Sequence, residues 1–192
     1  AKLLSPNKTV LIPTQNNGCS LADSITAADV AQLRQKFSDY TFVCYINTSV
    51  AVKAACDVCV TSSNVYDIIK NIPNPNIYFL PDKLMAKNII NELKVRGIHK
   101  NIKYWDGTCY VHEEYDPEMI EYIQQKYNNV KVVSHPECDE KILEKSHFVG
   151  STSQMIRYVE KTAAKQFFML TECGLTSRLQ LENPNKKFVG SC

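Results

Sequence analysis

The sequence predicts an α/β fold made of repeated three-layer α/β/α units with short parallel sheets. Two observations carry that prediction. Short apolar runs of strand character alternate with stretches whose apolar residues recur at helical spacing, a pattern that calls for parallel sheets with helices on both faces. The chain also resembles itself at an offset of 90 residues: "QKFSDYTFVCYIN" (35–47) overlays "QKYNNVKVVSHPE" (125–137), "TSSNVYDII" (61–69) overlays "STSQMIRYV" (151–159), and Cys19 falls on Cys109. A period of 90 is too long for a solenoid repeat and suits a small domain, so two homologous units are expected.

Each unit reads in the same order. A helix follows a polar start ("SITAADVAQLRQKF" or "DPEMIEYIQQKY"), with Val30, Leu33 and Phe37 at helical spacing in the first. A strand follows ("TFVCYI" or "VKVVSH"), then a short strand ending in a hydroxyl cluster ("DVCVTSS" or "SHFVGSTS"), a helix ("NVYDIIKN" or "QMIRYVEKTA") and another apolar strand ("NIYFLPD" or "KQFFMLTE"). In the first unit "KLMAKNIINELKVRG" makes a third helix closed by Gly97, before the strand "NIKYW". The opening "AKLLSPNKTVLIPTQNNGC" reads as the end of a helix running into a strand, and "NKKFVGSC" breaks off after another strand, so the chain is expected to be a piece of a longer protein.

Twenty-two basic and twenty acidic residues leave a net charge of +2 with no basic block, which gives nucleic-acid binding no electrostatic support. No apolar run approaches the roughly 18 residues of a membrane span, and the N-terminal residues lack the charged-then-apolar layout of a signal peptide. A cytoplasmic location is expected. Eight cysteines are many for such a protein, and metal binding or redox chemistry is a better reading than a disulfide scaffold.

In parallel sheets, ligands sit beyond the carboxyl ends of the strands. Tyr45, Asn47, Thr61, Ser62, Pro81, Asp82, Cys109, His135, Glu137, Ser151 and Thr152 all fall there, so one rim collects most of the polar chemistry. Cys109 and His112 are spaced to give two ligands of a tetrahedral zinc, but the repeat pairs Cys109 with Cys19 and suggests a centre held between units, with a third thiolate from a third copy. Three thiolates and an open position suit an iron–sulfur cluster with one accessible iron. "TSSN" and "GSTS" can cradle phosphate or carboxylate, or serve as plain helix caps. His135 and Glu137 flank a proline and can transfer protons, or form a solvated loop pair. Cys56-x-x-Cys59 has no second pair at metal-site spacing and is read as packed or incidental thiols.

Taken together, these motifs resemble the quinolinate synthase family of NAD biosynthesis. "IPTQNNGCSLAD" and "DGTCYVHEEY" resemble its first two cluster-cysteine turns, and "YINTSVAVKAACDVCVTSSN" its Tyr-Asn and Thr-Ser motifs. "FLPDKLMAKNI" resembles its Pro-Asp strand end, and "SHPECDEKILEKSHFVGSTSQMI" its His-Glu and Ser-Thr motifs. "TECGLTSRL" and "NPNKKFVGSC" resemble the approach to a third cysteine.

The resemblance implies three similar α/β/α domains around a pseudo-threefold axis, of which about two are present: the end of a truncated first domain over residues 1–19, a second over 20–109 and a C-terminally truncated third over 110–192. It implies condensation of iminoaspartate with dihydroxyacetone phosphate to quinolinate, with loss of phosphate and water and with a [4Fe–4S] cluster as Lewis acid. An aspartate oxidase or dehydrogenase is the implied upstream supplier.

Carried onto matching positions, Cys19 and Cys109 are cluster ligands, while Tyr45, His135 and Glu137 handle protons. Asn47, Ser62, His112, Ser151 and Thr152 bind substrate. Three departures stand out. Val50-Ala51 replaces the family's Ala-Glu and loses a carboxylate near the site; most of the first domain is missing; and the third ligand is expected just beyond Cys192 rather than at it. With two of three ligands, this piece alone is expected to be inactive. The competing readings are a degenerate, non-catalytic metal- or ligand-binding module and another cluster-dependent hydro-lyase.

Overall fold

The computed structural model describes residues 4–12, 14 and 18–189. The first half runs α1 (Ser20–Asp23), α2 (Ala27–Lys36), β1 (Thr41–Tyr45), α3 (Val50–Ala54), β2 (Val58–Val60), α4 (Val65–Asn71), β3 (Asn76–Leu80), α5 (Lys83–Val95) and β4 (Asn101–Tyr104). The second runs α6 (Tyr110–Glu113), α7 (Pro117–Lys126), β5 (Lys131–Ser134), α8 (Glu140–Glu144), β6 (Phe148–Val149), α9 (Thr152–Lys161), β7 (Gln166–Leu170), α10 (Cys173–Glu182) and β8 (Lys187–Val189). From α1/α6 to α5/α10, every pair of matching elements except α4/α9 starts 90 residues apart.

Each half builds a four-stranded, wholly parallel sheet, in the matching orders β2-β1-β3-β4 and β6-β5-β7-β8. The central strands β1, β3, β5 and β7 are nearly continuous apolar runs because both faces are covered. On the first sheet, Val43, Ile77 and Phe79 pack under Val65, Ile69, Met85 and Ile89 of α4 and α5, while Phe42, Cys44 and Leu80 pack under Val30 and Val52 of α2 and α3. On the second, Val133, Phe167 and Met169 meet Met155, Val159, Leu175 and Leu179 of α9 and α10, while Val132, Phe168 and Leu170 meet Ile120 and Ile142 of α7 and α8. Each fully buried Phe, Ile or Leu contributes about 1.5–3 kcal/mol relative to exposure. The expected three-layer architecture is therefore present twice.

Caps place the helices. Thr26 and Asp29 form a capping box at α2, Asp116 precedes Pro117 at the first position of α7, and Asp82 Oδ1 accepts from Met85 N at 2.8 Å to start α5. Gly97 ends α5 with φ +69, a conformation that costs glycine nothing, and Ile98 N closes the turn on Leu93 O at 2.8 Å.

One expectation fails. The described residues of the opening segment form only turns and irregular chain, pair with neither sheet and leave Leu11 and Ile12 87% and 62% exposed. An apolar run without a neighbouring strand has no ladder to join, so composition alone does not make it a strand. The closing strand is present as β8, while Cys192 lies outside the described residues. No helix among the described residues is long and apolar enough to cross a membrane.

Candidate active site

The carboxyl ends of the two sheets meet. Tyr45 is the last residue of β1, Ser62 and Asp82 stand two residues past β2 and β3, and His135 directly follows β5. Gly107 brings the second cysteine turn against this rim: it bridges to Asp82, and a Cβ there would lie 2.5 Å from Ser24 Oγ and 2.6 Å from Pro81 O. Only glycine permits that approach. Cys109 caps α6, and His112 N donates to Cys109 O at 3.0 Å, which turns the His112 side chain into the interior.

There His112, His135 and Glu137 are 6%, 5% and 2% exposed. His112 Nδ1 lies 2.9 Å from Glu137 Oε2, out of line for a hydrogen bond, and its ring stacks on His135 with centroids 5.2 Å apart. Glu137 N donates to His135 Nδ1 at 3.4 Å, so the His135 proton sits on Nε2 and points at Ser62 Oγ, 3.2 Å away. Tyr45 reaches both Glu137 and Ser62.

Burial opposes charge on His112, but Cys109 and Glu137 beside it prevail and hold its pKa up at about 9. Burial, helped by the charge of His112, pushes His135 down to about 4. Burial also works against the Glu137 carboxylate, yet His112, His135 and Tyr45 keep its pKa below the ordinary value. Near neutral pH the group is therefore an imidazolium–carboxylate pair beside a neutral imidazole. Tyr45 is pushed upward by burial and by Glu137, so it stays a phenol donor.

The two cysteine turns are equivalent and adjacent. Cys19 and Cys109 hold the same extended N-cap conformation before α1 and α6, and Tyr110 N donates to Ser20 Oγ at 3.5 Å. Both thiols are free, Cys19 exposed and Cys109 partly buried. Paired thiols at a shared edge fit two ligands of one cluster. Cys109, His112 and Glu137 also offer ligand atoms within 4.8 Å of one another, a donor set that suits a single divalent metal.

Not every expected residue joins this group. Asn47 and Thr152 are exposed, as are Val50 and Ala51. Ser151 is buried with its hydroxyl unpartnered among the described residues, while its N–H is satisfied by Gln154 Oε1 at 2.8 Å. In "TSSN", Thr61 bonds Ser63 and Asn64 within its own turn, leaving Ser62 to face His135.

Two residues gain importance from the structure. Asp82 is fully buried, and its Oδ2 has no hydrogen-bond partner among the described residues; burial and the nearby Glu137 raise its pKa to about 7. Asn88 of α5 donates to both Pro136 O and Cys138 O at 2.8 Å, fixing the His135–Cys138 loop. A lone Asn between Met85 and Ile89 on the apolar stripe of a helix was the available signal for it.

Comparison with known proteins identifies the family. The NadA family model, described as Quinolinate synthetase A protein, matches residues 1–192. Among curated relatives, "Quinolinate synthase" of Clostridioides difficile (strain 630) is 43% identical over 188 residues, covering 98% of this chain and 60% of the relative. "Quinolinate synthase 1" of Mesorhizobium japonicum is 40% identical over 192 residues, covering 100% of this chain and 58% of the relative. "Quinolinate synthase" of Xylella fastidiosa (strain 9a5c) is 40% identical over 192 residues, covering 100% and 55%. The chain thus spans less than two thirds of the length of these relatives. With the match running from end to end, and with the cysteine turns and the buried His–Glu group at one rim, the chain belongs to the quinolinate synthetase A (NadA) family.

Proposed function

We propose that this chain forms part of a quinolinate synthase, which condenses iminoaspartate with dihydroxyacetone phosphate to quinolinate with release of phosphate and water. The observation that supports it best is the buried group of Tyr45, His112, His135 and Glu137, with half-buried Ser62 at its edge, beside the free cysteine turns. Residues 20–109 and 110–192 are read as two of its domains and 1–19 as the end of another. A [4Fe–4S] cluster held by Cys19, Cys109 and a further cysteine would supply an iron with an open site that polarises a substrate hydroxyl.

The side chains divide the remaining work. Glu137, ionised and dry, accepts a proton, and the charged His112 returns one. Neutral His135 and the Tyr45 phenol donate hydrogen bonds to a substrate oxygen without adding charge. Ser62 and Ser151 present hydroxyls to carboxylate or phosphate, and Asn47 and Thr152, exposed here, are assigned to the same ligand groups. The location is read as cytoplasmic, with an aspartate oxidase or dehydrogenase supplying iminoaspartate.

The test is anaerobic cluster reconstitution of the full-length protein, followed by a quinolinate assay. Cys109→Ala is expected to lose both cluster absorbance and product, and an unchanged cluster would sink the ligand assignment. The Cys109, His112 and Glu137 donors favour a second reading, a single metal ion at that site. Stoichiometric zinc without iron or sulfide would select it.

A further inference from the structure

Three thiols that the rim does not use converge on the opposite side of the first sheet. Cys44 and Cys59 face each other in register on the parallel strands β1 and β2. Cys44 belongs to the cluster of Phe42, Val52 and Leu80, and Cys56, in the turn between α3 and β2, packs against the same cluster. Tyr45 lies on the other face, with Val43 and Phe79. Exposure is graded: Cys44 is buried, Cys56 partly exposed, and Cys59 exposed on the edge strand.

The turn carrying Cys56 is fixed. Arg34 Nε donates to Ala55 O at 2.8 Å and its Nη2 pairs with Asp57 Oδ1 at 2.6 Å, while Asp57 Oδ2 accepts from Phe42 N at 2.7 Å. Cys56 is thereby held beside a guanidinium and against the Cys44 thiol. The Cys44 hydrogen bond, against opposition from burial and with help from Arg34, keeps the Cys56 thiol below its ordinary pKa. Contact with Cys56 and burial push Cys44 upward; burial also raises Cys59, with Lys53 the opposing charge. A partly exposed thiol of lowered pKa beside a second thiol is the arrangement that exchange chemistry requires, here with Arg34 helping and Asp57 opposing.

We propose that Cys56 is a thiol–disulfide exchange site for low-molecular-weight disulfides such as glutathione disulfide, and that Cys44 resolves the adduct into a Cys44–Cys56 disulfide. In the first step the Cys56 thiolate attacks one disulfide sulfur, forming a mixed disulfide and expelling one glutathione thiolate, which takes up a proton. In the second, Cys44 gives up its proton and attacks Cys56 Sγ, expelling the second glutathione. Two protein thiols are oxidised and one glutathione disulfide is reduced to two thiols. This inference stands apart from the chemistry assigned to the rim.

The test incubates the intact protein anaerobically with glutathione disulfide, quenches in acid, alkylates and maps the cysteine peptides by mass. The expected result is a Cys44–Cys56 disulfide in the parent protein and a stable glutathione adduct on Cys56 in Cys44→Ala. Cys56→Ser should slow glutathione release at least about tenfold, whereas Cys59→Ser should leave it unchanged. Adducts on Cys59 or Cys19 with Cys56 unmodified, or a parent protein with no Cys44–Cys56 disulfide, would overturn the proposal. The parent mapping decides the matter even if a variant fails to fold.

Discussion

Residues at matching places in the two halves meet different fates. Tyr45 and His135 both stand at the end of the second strand position in their sheets, 3% and 5% exposed. Two residues on, Asn47 is exposed and Glu137 is buried. Asp82 and Glu172 both cap the last helix of their half, but Asp82 is fully buried beside Glu137 while Glu172 is exposed. Ala22 occupies the place that His112 takes in the second half. One backbone plan has thus been given two chemistries. The difference arises because the carboxyl end of the second sheet is pressed onto the first half, where Asn88 holds its loop and Ser62 meets His135.

The largest effect is expected at Glu137. Glu137→Gln in the full-length protein should lower kcat of the proposed quinolinate synthesis by roughly 10²–10⁴-fold, the usual weight of a positioned proton acceptor, with little change in KM. An unaltered kcat would remove Glu137 from the chemistry. Next comes His135, whose pKa falls from 6.5 to about 4 in the folded state. A depressed pKa means the unfolded chain binds more protons in this window, so the associated stability is present above pH 6.5 and lost as pH falls through about 4. Buried Asp82, its pKa raised to about 7, works in the opposite sense over this range, so the readout is the difference between proteins: in thermal unfolding from pH 7 to 4 the parent should lose roughly 2–3 kcal/mol relative to His135→Asn.

Asn88→Ala tests the clamp. It leaves two buried carbonyls without their donor and should cost about 2 kcal/mol in urea denaturation, whereas Asn91→Ala, whose partner Glu140 is exposed, should cost under about 0.5 kcal/mol. The smallest effect is expected at Glu172. Glu172→Gln keeps an oxygen to accept from Leu175 N and loses only the exposed bond from Gly174 N, which water can replace, so stability should fall by no more than about 0.5 kcal/mol. A large loss there would mean the two caps are not as different as their burial implies.

Much of the scaffold was legible in the sequence, because a gapless repeat preserves element spacing and buried parallel strands leave apolar runs. The short helices were not. Those at 20–23, 50–54, 110–113 and 140–144 are too brief to show a period and exist through caps and packing. Helix 173–182 was obscured by Gly174 and by Thr176, both poor helix formers. The site was legible as a set of strand-end residues, including Tyr45, His135, Glu137 and Ser62, and the cysteine turns matched through the repeat. What spacing could not sort was which members meet: Asn47 and Thr152 look equivalent to Glu137 and Ser62 but lie exposed at the rim's edge.

The sequence by itself determined the α/β alternation, the repeat, the paired cysteine turns and the family, since each depends on residue order alone. Only the tertiary structure decided that the pKa values of His112 and His135 are pushed in opposite directions, that Asp82 is buried at the site, and that Cys44, Cys56 and Cys59 come together. The reason is physical: desolvation and charge coupling are set by neighbours a few ångströms away, and here those neighbours are remote in the chain, as His135 and Ser62 are at 73 residues apart.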